Sequence, residues 1–91
     1  MRFTWRDAKR TDNLKVHGFD FADAHEVFSG PTFTYEDSRF SYDEERFVTL
    51  GVLRGLLVSI VHTETFRTIR VISFRKATKN EQAIFFKQIQ N

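Results

Sequence analysis

The sequence of 91 residues has no cysteine, a single proline and no long apolar run. Without cysteine the chain has neither disulfides nor thiolate ligands for a metal ion. Because a membrane-spanning helix needs about 20 mainly apolar residues, no segment is predicted to cross a bilayer. The segment Met1–Asp7 is polar by its sixth residue, so it lacks the apolar core of a signal peptide. These absences favour a cytoplasmic protein with a single domain over residues 1–91.

Glycine is also scarce, with four residues scattered singly along the chain. Their positions exclude a glycine-rich phosphate loop, and no serine stands in a nucleophile elbow. The three histidines, His17, His25 and His62, fall in three different predicted elements and lack the spacing of metal ligands. We therefore expect a protein that uses no metal ion and no cofactor.

Phenylalanine, in contrast, is abundant, and eleven such residues are enough to fill a small core. The formal net charge of +2 is too small to indicate nucleic-acid binding by itself. Acidic residues concentrate between Glu36 and Glu45, whereas basic residues concentrate in segments 9–15 and 67–79. This segregation fits a basic binding surface and two ordinary solvated faces equally well.

Three β-rich runs between Glu45 and Lys76 form the most regular part of the chain. Turn signals separate them, with Arg54-Gly55 between the first two runs and Thr65-Phe66-Arg67 between the last two. Because such short connections can join only antiparallel neighbours, the runs are predicted to form a three-stranded meander.

Three helices are predicted around this meander. Asp7–His17 has a thin apolar stripe and is followed by Gly18, a suitable left-handed cap. Asp20–Ser29 begins at a good N-cap and ends before Gly30-Pro31. A third helix starts after the capping box Thr78–Glu81 and continues from Lys79 towards the C-terminus.

Two further short strands, at residues 3–5 and 32–35, complete the predicted fold. The element order is β-α-α-β-β-β-β-α, which is typical of an α+β domain. We expect an antiparallel meander sheet with the helices packed on one of its faces.

His62 is the histidine with the clearest environment. In its strand it continues the apolar face of Val58 and Ile60 and lies near the strand end. One interpretation is a partly buried, hydrogen-bonded histidine. The other is a proton-transfer group at the edge of the sheet, because histidine titrates near neutral pH.

Two arginines of the last strand stand among apolar residues and need a partner or a ligand. Strand alternation predicts Arg70 on one face and Arg75 on the other. Glu45 and Glu64 are the expected ion-pair partners of Arg70, but its guanidinium also suits a phosphate. Arg75 and Lys76 precede a helix, where phosphate contact is favoured.

Glu45 has a second interpretation as a general base that Arg70 orients, besides its role as a counter-ion. Arg46 follows it on the opposite face of the chain. Lys9 belongs to a basic stripe of the first helix, and such stripes are usually solvated surfaces. Aromatic residues that are candidates for stacking on unpaired bases, with core packing favoured for the first, are Trp5, Phe40 and Tyr42.

Taken together, these residues resemble the BrnT toxins of bacterial type II toxin–antitoxin systems. The most specific segments are Glu44–Phe47 and Arg70–Ala77, followed by Thr78 and Glu81. Supporting segments are Phe3–Trp5 with Lys9, Asn13–Lys15, His17-Gly18, Phe21–Ala24 and Val27-Phe28. The resemblance covers nearly the whole chain, with its segments in the right order.

The resemblance implies a RelE-like fold and a ribonuclease that inhibits translation. It also implies a neutralising ribbon-helix-helix antitoxin, BrnA-like, through which the pair contacts operator DNA. Three residues depart from the family pattern. Arg6 replaces an Asp that opens the first helix, so that Asp7 would cap instead; Phe74 replaces a small Ala; and Phe85 replaces a Tyr hydroxyl.

The corresponding hypothesis is metal-independent RNA cleavage, in which the ribose 2′-hydroxyl attacks the adjacent phosphate and no enzyme nucleophile is needed. His62 or Glu45 would act as base or acid, and Arg70 and Arg75 would hold the phosphate with support from Lys76. Substrate binding would further involve Arg46 and Lys9. The alternatives are a non-catalytic module that binds nucleic acid or protein, and a toxin homologue weakened by its departures from the pattern.

Overall fold

A computed structural model describes residues 1–38 and 43–90 of the chain. The elements are, in order, β1 (Arg2–Thr4), α1 (Asp7–His17), a 3₁₀ turn (Phe21–Asp23), α2 (Ala24–Phe28), β2 (Phe33–Glu36), β3 (Phe47–Leu53), β4 (Leu56–Thr65), β5 (Thr68–Lys76) and α3 (Lys79–Ile89). The predicted element order is therefore confirmed. The second predicted helix is divided into the 3₁₀ turn and the short α2, and the Asp20 carboxylate caps its start by accepting from the Ala22 N–H.

The five strands form one sheet in the order β1-β5-β4-β3-β2. Strands β3, β4 and β5 pair antiparallel through two tight hairpins, as the turn signals predicted. Strand β1 pairs with β5 in parallel, so the prediction of a purely antiparallel sheet is wrong. The short-connection rule did not apply to β1, because two helices separate it from the other strands and a long crossover permits either direction.

The helices lie on both faces of the sheet, and the prediction of one covered face is wrong. Under α1 and α2, the buried residues Val58 and Ile60 of β4 join Phe21 in one cluster. On the opposite face, Phe85 of α3 joins Leu50 of β3 in a second cluster. Because the central strands carry apolar side chains on both faces, each face requires its own cover.

Beyond the short strand β1, a side chain closes the outer edge of β5. The buried Asn13 amide of α1 donates to the Phe74 carbonyl at 2.8 Å and accepts from the Phe74 N–H at 3.1 Å. The same amide donates to the Phe19 carbonyl at 3.0 Å. Asn13 therefore satisfies the backbone groups that a neighbouring strand would satisfy, and it fixes α1 against the sheet.

A β-bulge interrupts β5 at Ile72, since Val61 pairs with Ser73 whereas His62 pairs with Val71. The extra residue reverses the alternation of side chains beyond it. As a result, Phe74 joins Val71 in the cluster beneath α1 and α2. The predicted alternation is therefore wrong in the second half of β5, and Arg70 and Arg75 share the face opposite this cluster.

Trp5 packs against the same cluster, as favoured from the sequence, and the Arg10 guanidinium carbon lies 5.5 Å from its ring centroid. Phe40 and Tyr42 lie outside the described residues. In the part of the chain that the structure describes, no helix is long and apolar enough to span a bilayer.

We predict that Asn13→Ala lowers the free energy of unfolding by about 2–4 kcal/mol, because it leaves the buried N–H and carbonyl of Phe74 without partners. Urea denaturation followed by circular dichroism measures this loss. Asp12→Ala, at an exposed neighbouring position of α1, is the matched control. A loss below about 0.5 kcal/mol for Asn13→Ala, within the range of ordinary surface substitutions, would contradict the prediction.

Candidate functional site

Arg70 lies on a part of the sheet face that the helices of the described residues leave uncovered. It pairs with Thr4 of β1 on one side and with Thr63 of β4 on the other. Its neighbour Val71 faces α1 and α2, so the Arg70 side chain points to the opposite face. Helix α3 shares that face but packs over β2 and β3. The face formed by β1, β5 and the end of β4, called the open face below, therefore remains accessible.

Threonine hydroxyls and glutamate carboxylates line the open face. A cavity of about 430 Å³ lies over it. Its lining residues are Thr4, Glu44, Glu45, Thr63, Glu64, Thr65, Thr68 and Arg70. The side chains of threonine and arginine can hydrogen-bond a polar ligand, and the carboxylates can accept protons. Glu45 is thus near Arg70, as the sequence predicted, although it precedes β3 and is not part of a strand.

A second cavity of about 290 Å³ shares Arg70 and collects positive charge. Four cationic side chains and one carboxylate line it, together with Val71 and Ile72: Arg6, Lys9, Arg46, Arg70 and Glu44. The formal charge of these five groups is +4 − 1 = +3. Three residues nominated separately from the sequence, Lys9, Arg46 and Arg70, therefore meet in one cavity of a size that suits an anionic group.

Arg6 is a residue of this cavity that the sequence analysis did not nominate. It is the N-cap of α1 and makes no side-chain capping hydrogen bond, whereas Asp7 is the first helical residue and does not cap the helix. A cation at the positive end of a helix dipole is unfavourable. That misplaced charge is the sequence signal from which a functional role could have been suspected.

Glu44, and neither Glu45 nor Glu64, is the ion-pair partner of Arg70. An oxygen of the Glu44 carboxylate accepts from a terminal nitrogen of the Arg70 guanidinium, and both side chains are about two-fifths exposed. The predicted partners were wrong because Glu44 lies in an irregular segment before β3, where strand alternation gives no direction. The remaining donors of the guanidinium fork are available on its exposed side.

Arg75 and Lys76 lie at the other end of β5 and do not join Arg70. Five residues of extended chain separate the two arginines, about 17 Å. The Arg75 guanidinium makes a two-pronged ion pair with Glu81, at 2.8 and 3.0 Å. The structure therefore does not bring Arg70 and Arg75 together as the predicted joint phosphate clamp requires, because Arg75 holds α3 against the sheet.

Glu81 is a buried carboxylate at the centre of a small polar network. Its oxygens accept from Arg75, from the Ser59 hydroxyl at 3.2 Å and from the Thr78 N–H at 2.8 Å. The Thr78 hydroxyl in turn accepts from the Glu81 N–H, which confirms the predicted capping box. Burial by itself would raise the pKa of Glu81, but the hydrogen bonds, Arg75 first among them, hold this pKa below its usual value.

His62 is completely buried, with no solvent-exposed surface. Its Nε2 lies 2.7 Å from the Thr49 hydroxyl, and its Nδ1 lies 3.7 Å from the Glu64 carboxylate, beyond hydrogen-bond distance. The rings of Phe28 and Phe47 flank the imidazole. Burial lowers the pKa of His62 to about 4. The structure thus favours the interpretation of a hydrogen-bonded core histidine over that of a proton-transfer group at the sheet edge.

Within residues 1–38 and 43–90, no three histidine, aspartate or glutamate side chains lie close enough together to hold a metal ion. The cavity over the open face holds one cation, Arg70, with three carboxylates and four threonine hydroxyls. The adjoining cavity adds the cations Arg6, Lys9 and Arg46. Their arrangement suits the binding of a phosphate-containing ligand and a proton transfer beside it.

The fold is similar to that of the Brucella abortus ribonuclease toxin BrnT, known from a crystal structure. The TM-score is 0.64 and the sequences are 25% identical, with 87% of this chain and 99% of that chain covered. The comparison with curated proteins gives no match. The chain therefore shares its fold with a small ribonuclease toxin.

The family model of the ribonuclease toxin BrnT of type II toxin–antitoxin systems matches residues 5–81. The chain belongs to this family, and the resemblance inferred from the sequence is confirmed. Membership of a type II toxin family implies an antitoxin as partner. Two of the departures from the family pattern, Phe74 and Phe85, are core residues with 0% and 1% exposure.

We predict that Arg75→Ala costs about 2–4 kcal/mol of unfolding free energy, because it leaves the Glu81 carboxylate buried without its main partner. Arg70→Ala is the matched control and should cost less than about 1 kcal/mol, since its ion pair is exposed. Urea denaturation of both variants makes the comparison. Unchanged stability of Arg75→Ala together with loss of RNA cleavage would contradict this structural role and support a catalytic role for Arg75.

A second prediction concerns the acid stability of the fold. His62 stays neutral in the folded protein down to about pH 4, whereas in the unfolded chain it takes up a proton below about pH 6.5. Stability should therefore fall as the pH falls through this window, by on the order of 2–3 kcal/mol from His62 alone. The loss should be smaller in His62→Gln than in the control His25→Gln.

The pKa of His62 is measured directly by following its imidazole signals in NMR spectra between pH 4 and pH 7.5. A folded-state pKa close to 6.5, or an equal acid loss in the two glutamine variants, would show that burial does not control this residue.

Proposed function

We propose that this protein is a metal-independent endoribonuclease whose catalytic site is the open face around Arg70. The observation that carries the proposal is the convergence of Arg6, Lys9, Arg46 and Arg70 on one cavity. Their positive charge is complementary to the negative charge of the RNA phosphate backbone. Arg70 also lines the adjoining cavity of hydroxyl groups and carboxylates, so a bound phosphate would lie beside groups that move protons.

In the proposed reaction, the ribose 2′-oxygen forms a bond to the adjacent phosphorus and the bond from phosphorus to the 5′-oxygen breaks. The products are a 2′,3′-cyclic phosphate and a 5′-hydroxyl. A general base takes the proton of the 2′-hydroxyl, and water at the exposed face gives a proton to the leaving 5′-oxygen. The negative charge that develops on the phosphate oxygens is stabilised by the cations of the site.

Arg70 is the residue proposed to hold the scissile phosphate, because it lies between the two cavities. Glu44 keeps its guanidinium in place, and Glu45 is the proposed base. Lys9, Arg46 and Arg6 bind the neighbouring phosphates of the strand.

His62 is not part of the proposed proton transfer, since it has no contact with solvent. Arg75 and Lys76 lie too far along β5 to touch the same phosphate as Arg70. If they meet RNA, they meet another part of the strand.

The family supports the biological setting of this reaction. We infer a cytoplasmic toxin with a RelE-like fold that inhibits translation by cleaving RNA. Its proposed partner is a BrnA-like antitoxin with a ribbon-helix-helix domain, which neutralises the toxin and brings the pair to operator DNA.

We predict that Arg70→Ala lowers the rate of RNA cleavage about a hundredfold, because one preorganised cation is lost from the developing phosphorane. Arg54→Ala is the matched control, since Arg54 is exposed and pairs with Glu26 away from the site. The assay uses purified protein with an excess of RNA in the presence of a chelator. Induced expression in bacteria adds growth and total RNA integrity as readouts.

Turnover of the excess RNA by the wild type, near-normal activity of Arg54→Ala and a folded, inactive Arg70→Ala support the proposal. Cleavage by Arg70→Ala at the wild-type rate would contradict the proposed site but not the ribonuclease activity. Stoichiometric protection of RNA without cleavage indicates the non-catalytic binding module. Antitoxin binding with weak cleavage indicates a toxin weakened by Phe74 or Phe85.

A further inference from the structure

The turn between β4 and β5 presents an aromatic ring to solvent. Phe66 is 86% exposed, more than any other large apolar residue in segments 1–38 and 43–90. The guanidinium carbon of the next residue, Arg67, lies 4.9 Å from the centre of the ring. Because the ring is not buried within the fold, its face is available to a ligand.

Arg67 also adopts a backbone conformation that its side chain disfavours. Thr65 and Thr68 pair at the base of the hairpin, so Phe66 and Arg67 form a two-residue turn. The φ angle of Arg67 is +63°, in the left-handed region where glycine or asparagine is usual. Arg54, in the turn between β3 and β4, is left-handed as well, with φ +49°, so strain alone does not mark a site. The turn at Phe66 differs because it combines the left-handed arginine with an exposed ring.

The turn adjoins the open face that holds Arg70. Thr65 and Thr68, on the two sides of the turn, line the same cavity as Arg70. Arg70 follows Arg67 by three residues of extended chain, about 10 Å, a distance that neighbouring nucleotides of a single strand can span. A strand whose phosphate lies at Arg70 would therefore carry an adjacent base to the turn.

We propose that Phe66 and Arg67 form a stacking platform for one unpaired base of single-stranded RNA, next to the phosphate held by Arg70. This inference rests on the proposed function and adds to it a residue that positions the substrate. Stacking on aromatic rings and on guanidinium planes is the usual way in which proteins hold unpaired bases. The platform accepts any base, because every base has a π-face.

A protein partner fits this turn less well. A protein interface needs a contiguous apolar area, whereas the residues that flank Phe66 or pair with its turn are polar or charged: Thr65, Arg67, Thr68 and Arg2. A single ring beside a cation matches one base and the negative charge of its strand.

The test measures the affinity of the full chain for a short, fluorescently labelled single-stranded RNA that carries 2′-O-methylribose at each position and so has no free 2′-hydroxyl and cannot be cleaved. Phe66→Leu keeps an apolar side chain but removes the ring, and we expect its Kd to rise at least about fivefold. Phe66→Trp should bind as tightly as the wild type or more tightly. The matched control is Phe86→Leu, an exposed phenylalanine of α3 that should leave the affinity unchanged.

A second series replaces single bases of the oligonucleotide by abasic sites. The penalty of Phe66→Leu should disappear when the stacked base is missing, and at that position only, as a double-mutant cycle requires. Arg67→Gly should raise the urea midpoint, because it relieves the left-handed strain, and at the same time weaken RNA binding.

Three results overturn the inference: equal RNA affinity of Phe66→Leu and wild type, an equal penalty at every abasic position, or loss of antitoxin binding with RNA affinity unchanged. Failure of the proposed function is a separate outcome. Tight, Phe66-dependent binding without cleavage of ordinary RNA would support the stacking platform and contradict the proposed ribonuclease activity. Cleavage that does not depend on Phe66 would support the ribonuclease activity and contradict the platform.

Discussion

The incomplete cover of one sheet face is the constraint on which the site depends. Helix α3 has 11 residues and is about 16 Å long, and a helix is about 10 Å wide. Five strands spaced about 4.8 Å apart form a sheet wider than one such helix can cover. Since α3 is held over β2 and β3, the remaining strands must carry polar side chains on this face. Threonines and Arg70 meet that requirement, and they line the cavity of the candidate site.

The polar network around Glu81 explains why the division of the face is stable. Burying the Glu81 carboxylate without partners would be costly. The position of α3 is therefore fixed by the hydrogen bonds of Arg75 and Ser59 to this carboxylate. The two strand arginines thus have different functions on one face. Arg75 is used within the fold, and Arg70 lies on the open face, where the exposed Glu44 carboxylate is its ion-pair partner.

Local sequence signals predicted most of the fold. The turn residues, helix caps and capping box have short-range causes, and the corresponding elements are present. The direction of β1 and the placement of α3 depend on contacts between distant segments, which periodicity does not describe. The bulge at Ile72 explains the error in the predicted faces of β5, since one additional residue changes the face of every side chain that follows.

The site was predictable in residue type but not in grouping. Lys9, Arg46 and Arg70 were each nominated as cations, yet only the fold brings them to one cavity. Glu44 was missed because it lies in a segment without regular structure, where side-chain direction has no period. For His62 the sequence left two interpretations open, since its burial depends on rings from two other elements, Phe28 and Phe47.

The parallel pairing of β1 with β5 also bears on the order of folding. The hairpins of β3, β4 and β5 join residues that are close in sequence, whereas more than half of the chain lies between Thr4 and Arg70. Closing so long a loop is slow, so β1 should dock after the meander has formed. During synthesis, β5 leaves the ribosome long after β1. The open face is therefore completed only when most of the chain has been made, and the newly made protein acquires its site late.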